Sequence, residues 1–205
     1  LESGGVVFGV GWNGQILQHL MVDNVEDLAR LRGSKYLPSY VGKSYLQVSH
    51  YQKQGRKVLF AGTPCQVAAL KGMVKNKNLV TVDVICHGVP SLLVFQKYLQ
   101  SKIGASAVKA IDFRDKENGW KNYSIKITTI GNRVYNAIHK YDPFIVGFLK
   151  NLYLNTICYN CLFARLPRTG ELTLGDFWGL DDNFDEKKGV SAVLVNNEEG
   201  ELLFN

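Results

Sequence analysis

Apolar and polar positions alternate along this chain with two periods. Residues 58–62 form a short apolar run closed by a glycine, and residues 79–85 form a second run rich in β-branched side chains; both predict buried strands. Between them Thr63 suits a helix N-cap, Pro64 the first helical position and Gln66 the third position of a capping box, so a helix carrying Val67, Ala68, Leu70 and Met73 follows. Strand, crossover helix and strand make a parallel, right-handed βαβ unit. Around it, residues 6–10 and 15–22 read as strands joined by a turn at Asn13-Gly14. A short helix follows Asn24 and ends before Gly33, and residues 44–54 form an amphipathic helix stopped at Gly55. Residues 91–103 make another helix, stopped by Gly104, and residues 109–113 a strand that enters a charged loop ending in an exposed Trp120. The segments 123–130 and 133–139 alternate about Gly131-Asn132 as an antiparallel hairpin, and Asp142-Pro143 opens a helix to about Leu152. Residues 171–176 and 191–195 supply the last strands. The fold class expected is α/β: a mixed, largely parallel sheet flanked by helices, with an antiparallel hairpin insertion.

With 205 residues, 46% of them hydrophobic and 20% charged, the chain can fill a core as a single domain spanning 1–205. No apolar run approaches the length of a membrane span. The net charge of +6 suits an anionic partner, but the lysines and arginines are spread along the chain, as on a solvated surface, and no nucleic-acid-binding block is formed. The chain begins at Leu1, so it reads as a piece of something longer.

Candidate chemistry centres on four cysteines. Cys65 and Cys86 each follow one strand of the βαβ unit and come out at the same carboxyl edge, where open α/β sheets bind ligands. Neighbouring strand ends lie about 5 Å apart, so the two thiols can share one inorganic centre. Cys65 also sits in a first helical turn, which favours a thiolate. Cys158 and Cys161 have the CxxC spacing that lets one tight turn present two thiolates to the same metal; a dithiol redox pair belongs instead at a helix start after a strand. Four cysteines satisfy either zinc or a 4Fe-4S cluster, and spacing leaves the two open. A reduced, cytoplasmic setting fits four free thiols. Weaker signals are Ser34, Lys35 and Tyr36, in a loop of small residues, hydroxyls and a lysine able to meet a phosphate, and Gly175, Asp176, Phe177 and Trp178, a carboxylate and two aromatics able to wall a flat cofactor. Gly9, Gly11 and Gly14 form a GxGxxG, but the Asn-Gly turn followed by a strand-like run assigns them to turns.

The ordered motifs GSKY, VLFAGTPCQVAALK, VDVICHGVPS, FRDKENGW, CYNCLFA and LTLGDFWG closely resemble the C-terminal part of the coenzyme F420 hydrogenase/dehydrogenase beta-subunit family, over nearly the whole chain. The resemblance implies an iron-sulfur flavoprotein oxidoreductase that passes electrons between a 4Fe-4S cluster, FAD and a small-molecule substrate, either of the coenzyme F420 type or another acceptor that the family name does not identify. It implies that Cys65, Cys86, Cys158 and Cys161 ligate the cluster, and that Ser34, Lys35 and Tyr36 contact FAD. Thr63, His87, Gly175, Asp176, Phe177 and Trp178 then lie near flavin or substrate, with His87 a proton donor or a support for the cluster loop. The family's amino-terminal ferredoxin-like region and the serine-glycine segment after it do not appear in this sequence, so a ferredoxin-like domain or redox partner protein is expected to supply electrons. Asn155 stands where a basic residue often precedes the CxxC. The alternative from another class is a non-enzymatic module pinned by a four-cysteine zinc ion.

Overall fold

The computed structural model describes residues 1, 4–74, 78–179 and 189–204. Strands β1 (Val6–Asn13), β2 (Ile16–Val22), β3 (Val58–Gly62), β4 (Leu79–Val84), β8 (Leu172–Asp176) and β9 (Ser191–Val195) form one sheet in the order β2-β1-β3-β4-β8-β9. The four inner strands run parallel and the two edge strands antiparallel. Strands β5 (Val108–Asp115), β6 (Ser124–Thr129) and β7 (Val134–Ile138) make a separate antiparallel sheet. The α/β reading with an antiparallel insertion therefore holds. The strand after the third helix, however, joins the hairpin, because β8 fills the place beside β4.

Helix α1 (Ser44–Lys53) and helix α2 (Pro64–Met73) belong to one core, where Phe8, Val48, Phe60 and Leu70 are fully buried. Helix α3 (Leu92–Ile103) and helix α4 (Pro143–Leu149) share a second core with the small sheet, built on Phe95, Phe113, Phe144 and Ile125. Asp142 ties that core together. Its Oδ1 accepts the Ile145 amide at 2.9 Å as the expected N-cap, and its Oδ2 accepts the Tyr98 and Tyr135 hydroxyls at 2.7 and 2.9 Å. A buried carboxylate with three donors meets the rule that buried polar groups are paired.

Three local readings change. The segment after Asn24 is a 3₁₀ helix over Glu26–Leu31 with no buried residue, so nothing holds it in longer α form, although Asn24 Oδ1 does accept the Asp27 amide at 2.8 Å. Trp120 is 3% exposed and packs against Trp178, because the charged loop folds back over the end of β8. Helix α5 (Glu198–Phe204) closes the described chain, and Asn197 Oδ1 accepts the Gly200 amide at 2.8 Å at its start.

Register sets the site. Gly62 pairs with Asp83 across β3 and β4, so Cys65 and Cys86 each lie three residues beyond a matched pair. Strand β1 pairs with β3 only from Val6 to Phe8 and continues to Asn13, so the β1–β2 hairpin overhangs the same carboxyl edge.

Candidate functional site

Cys65 occupies the first turn of α2. Gln66 Oε1 accepts the Thr63 amide at 3.0 Å, the predicted capping contact, and the Thr63 hydroxyl lies 3.2 Å from Cys65 Sγ. Cys86 follows β4, where the Ile85 amide donates to the Leu174 carbonyl at 2.8 Å and carries the β4–β8 pairing one residue further. Cys158 lies in a 3₁₀ turn over Thr156–Asn160, and Cys161 is its C-cap. Asn155 caps that turn: its Oδ1 accepts the Ile157 amide at 3.3 Å, and its carbonyl accepts the Cys158 amide at 2.8 Å. Cys65 is exposed, the other three cysteines are half-buried, and all four are free thiols.

The CxxC turn is fastened to the loop after β4. The Asn155 amide donates to the Val89 carbonyl at 2.7 Å, and the Ser91 amide to the Tyr153 carbonyl at 2.9 Å. Gly88, at φ +139°, leaves so little room that a Cβ there would stand 2.8 Å from Leu154 Cδ1 and 3.5 Å from Cys158 Cβ. Only glycine lets the two segments approach this closely. On the other side of the turn, Asp83 is fully buried and accepts the Thr169 and Gly170 amides at 3.1 and 2.9 Å. Arg168 bridges Asp83 at 3.4 Å, the Val84 carbonyl at 3.0 Å and the Phe163 carbonyl at 3.2 Å. The segment after the CxxC is thereby clamped to the end of β4.

Burial pushes the Cys86 thiol up, a backbone hydrogen bond from Gly88 opposes this, and charge on Cys65, Cys158 and Cys161 raises it further. Among the described residues no three His, Cys, Asp or Glu side chains are grouped closely enough to hold a single metal ion.

The other nominated residues separate into groups. Tyr36 and Asp176 meet through Arg114, a residue that its charged sequence neighbourhood disguises as solvent-facing. Arg114 is buried, is ion-paired with Asp176, and lies with its guanidinium 4.7 Å from the centre of the Tyr123 ring. Burial raises the Tyr36 hydroxyl pKa, the Arg114 charge and a hydrogen bond from Ser34 lower it, and Asp176 raises it. Phe177 and Trp178 are 45% and 58% exposed, with Trp178 resting on Trp120 at 4.1 Å between ring centres. A Cβ at Gly175 would stand 2.6 Å from Ile85 Cδ1, so that glycine brings β8 close to the segment bearing Cys86. His87 Nε2 lies 3.1 Å from the Phe148 carbonyl, near the end of α4, with its ring edge-on to Phe148. Lys35 donates to the carbonyls of Leu31, Arg32 and Gly33 at 3.1, 2.7 and 3.0 Å. Its pKa is lowered by burial and partly restored by Asp112.

Two cavities adjoin the overhanging hairpin. A larger one of about 430 Å³ is mostly apolar, and a second of about 380 Å³ is lined by Ser34, Lys35, Arg30 and Arg32. Sequence patterning gave no sign of the larger, since its walls come from four separate segments.

Residues 55–205 match the family model for the C terminus of the beta subunit of coenzyme F420 hydrogenase/dehydrogenase. A chain of the F420-reducing [NiFe] hydrogenase complex from Methanosarcina barkeri, solved in a xenon-derivatization study, has the same fold with a TM-score of 0.63 and 18% sequence identity. The match covers 99% of the present chain and 67% of that one. No curated protein sequence matches.

Proposed function

The chain belongs to the coenzyme F420 hydrogenase/dehydrogenase beta-subunit family, and from this premise we propose that it is an iron-sulfur flavoprotein oxidoreductase in which Cys65, Cys86, Cys158 and Cys161 hold one 4Fe-4S cluster. The observation that carries the reading is geometric: Cys65 and Cys86 each lie three residues beyond the matched pair Gly62 and Asp83, and Gly88, two residues after Cys86, packs against Leu154 and Cys158 of the CxxC segment.

Four cysteine thiolates suit either zinc or a 4Fe-4S cluster, and membership of this family favours the cluster. FAD fits the basic cavity beside Ser34 and Lys35, where the three carbonyls on the Lys35 ammonium hold the loop in shape.

When bound, a cluster supplies one-electron carriage, and a flavin couples single electrons to two-electron chemistry on a substrate such as coenzyme F420. The protein's own residues do the rest. The first turn of α2 presents Cys65 at the sheet edge, with the Thr63 hydroxyl 3.2 Å from its sulfur. The Gly88 contact and the Asp83–Arg168 clamp hold the CxxC turn against the end of β4. His87, on the loop that carries Cys86, supports that loop through the Phe148 carbonyl and would be the proton donor during two-electron reduction. A ferredoxin-like domain or redox partner protein would supply electrons, and a reducing cytoplasm would keep the four thiols available.

Anaerobic reconstitution tests the reading. The full-length protein is expected to take up four irons and four sulfides beyond those of any other cluster it carries, with brown absorbance, and Cys158→Ala to lose that increment. One zinc per chain without iron or sulfide would establish the interaction-module alternative, and a full iron complement in Cys158→Ala would remove the ligand assignment.

A further inference from the structure

We propose that the surface carrying the CxxC turn is the docking face for the electron-donating protein, and that this donor presents an apolar centre ringed by carboxylates. The inference rests on the electron-transfer reading above and adds to it a surface and the chemistry of the partner.

Four large apolar side chains stand in water around the turn: Leu152 is 68% exposed, Ile157 76%, Leu162 69% and Leu166 74%. A single exposed leucine is ordinary, but four such side chains gathered between residues 152 and 166 mark a contact surface. Asn151, in the left-handed region at φ +60°, follows α4 and ends it, so Leu152 leaves the helix. Tyr159 then joins the two halves of the face. Its hydroxyl donates to the Asn151 carbonyl at 2.7 Å and accepts the Leu154 amide at 3.2 Å, which sets the turn bearing Cys158 against the segment that displays Leu152.

The segment is not free to fold inward and bury these side chains. The Asn155 amide ties it to the Val89 carbonyl, and Arg168 ties it to Asp83 and to the Val84 and Phe163 carbonyls. A surface fixed in this way loses little conformational freedom when a partner covers it.

Charge identifies the partner. Between Asp142 and Glu171 the chain has no carboxylate and carries Lys150, Arg165 and Arg168. Arg168 is committed to Asp83, whereas Lys150 and Arg165 are exposed and have no ion pair among the described residues. An apolar centre with uncompensated cations at its rim is complementary to an acidic protein. A second copy of this chain would bring like charges together, and two cations fall short of the roughly four to eight that hold a basic surface on anionic lipid. Cys158 and Cys161 lie half-buried within the face, so a protein seated there covers two of the proposed cluster ligands. The exchange it serves is one electron leaving a reduced iron-sulfur donor and arriving at the cluster site, with no bond made or broken.

The test is binding of an acidic two-cluster bacterial ferredoxin to the reconstituted full-length protein, read by interferometry without turnover, with iron content measured in parallel. Lys150→Glu/Arg165→Glu is expected to slow association at least about tenfold at low salt and to flatten its salt dependence. Ile157→Ser/Leu162→Ser is expected to leave association within about threefold and to speed dissociation at least about tenfold. Lys43→Glu/Lys53→Glu, at exposed positions at the start and end of α1, changes the net charge equally and should leave association within about threefold. If the wild type holds its iron but does not bind ferredoxin, or if both face variants bind as the wild type does, the docking face is wrong while the cluster reading stands. Binding to phosphatidylserine vesicles in place of ferredoxin would assign the surface to a membrane and overturn the proposal. Absence of iron from the reconstituted wild type would overturn the cluster reading and, with it, the electron-donating role of the partner.

Discussion

Replacing Asp83 by alanine removes the acceptor on which three donors converge. Asp83 is fully buried, and its two oxygens receive the Thr169 amide, the Gly170 amide and Arg168. The Arg168 side chain is itself 9% exposed, so the alanine variant leaves a buried cation without its counter-charge. Breaking one side of a buried ion pair costs roughly 3–5 kcal/mol. The two stranded amides push toward the upper end of that range, while the Val84 and Phe163 carbonyls, which still accept from Arg168, push toward the lower. Domains of this size are stable by about 5–15 kcal/mol in all, so the loss is a large fraction of the total. Anaerobic urea titration of the apo protein should therefore show a midpoint shift with an unchanged slope. Arg168→Met should cost less, because it leaves the carboxylate with both amide donors. The double variant should be less destabilised than the sum of the singles, since the second change removes a group the first has already orphaned. A loss below about 1 kcal/mol in Asp83→Ala would refute the clamp, because it would place that carboxylate in the ordinary range of surface pairs.

Two further predictions concern neighbouring features. His19 is 6% exposed and its pKa is lowered to about 4, first by burial, with a hydrogen bond to the Ala61 carbonyl opposing. The unfolded state therefore binds the extra proton, and stability present above pH 6.5 is lost as pH falls toward 4, by about 3 kcal/mol in all. Urea titrations at pH 7 and pH 4.5 should differ more for the wild type than for His19→Leu, and equal differences would assign the pH dependence elsewhere. Gly88→Ala puts a Cβ 2.8 Å from Leu154 Cδ1 at φ +139°. The variant should be destabilised by about 1–3 kcal/mol and lose reconstituted iron faster than wild type, and unchanged iron retention would show that the close approach to Cys158 does not matter.

The parts of the fold legible in sequence are those set by local signals. Thr63, Pro64 and Gln66 announce α2, Asp142 and Pro143 announce α4, and Asn13-Gly14 announces the first hairpin; each feature forms where its residues stand. That Cys65 and Cys86 emerge at one carboxyl edge was legible because strand, helix and strand make a parallel unit, and the observed register sets each of them three residues beyond the matched pair Gly62 and Asp83. Trp120 misled because its neighbours are charged and polar, whereas its burial depends on Trp178, fifty-eight residues away in the sequence. The same limit hid Asp83, Arg114 and Arg168. An isolated charged residue in a strand or loop reads as solvent-facing, since burying it is unfavourable unless a partner arrives from elsewhere in the chain. Here partners do arrive: Asp176 for Arg114, and Asp83 for Arg168. Both pairs join the end of an inner strand to a segment distant in sequence, and both lie at the edge that bears Cys65 and Cys86. Long-range ion pairs are thus spent where irregular loops must be held in place without the backbone ladder of a sheet. That is the arrangement a multi-segment cofactor site requires, because the ligands from each segment must be fixed before the cofactor arrives.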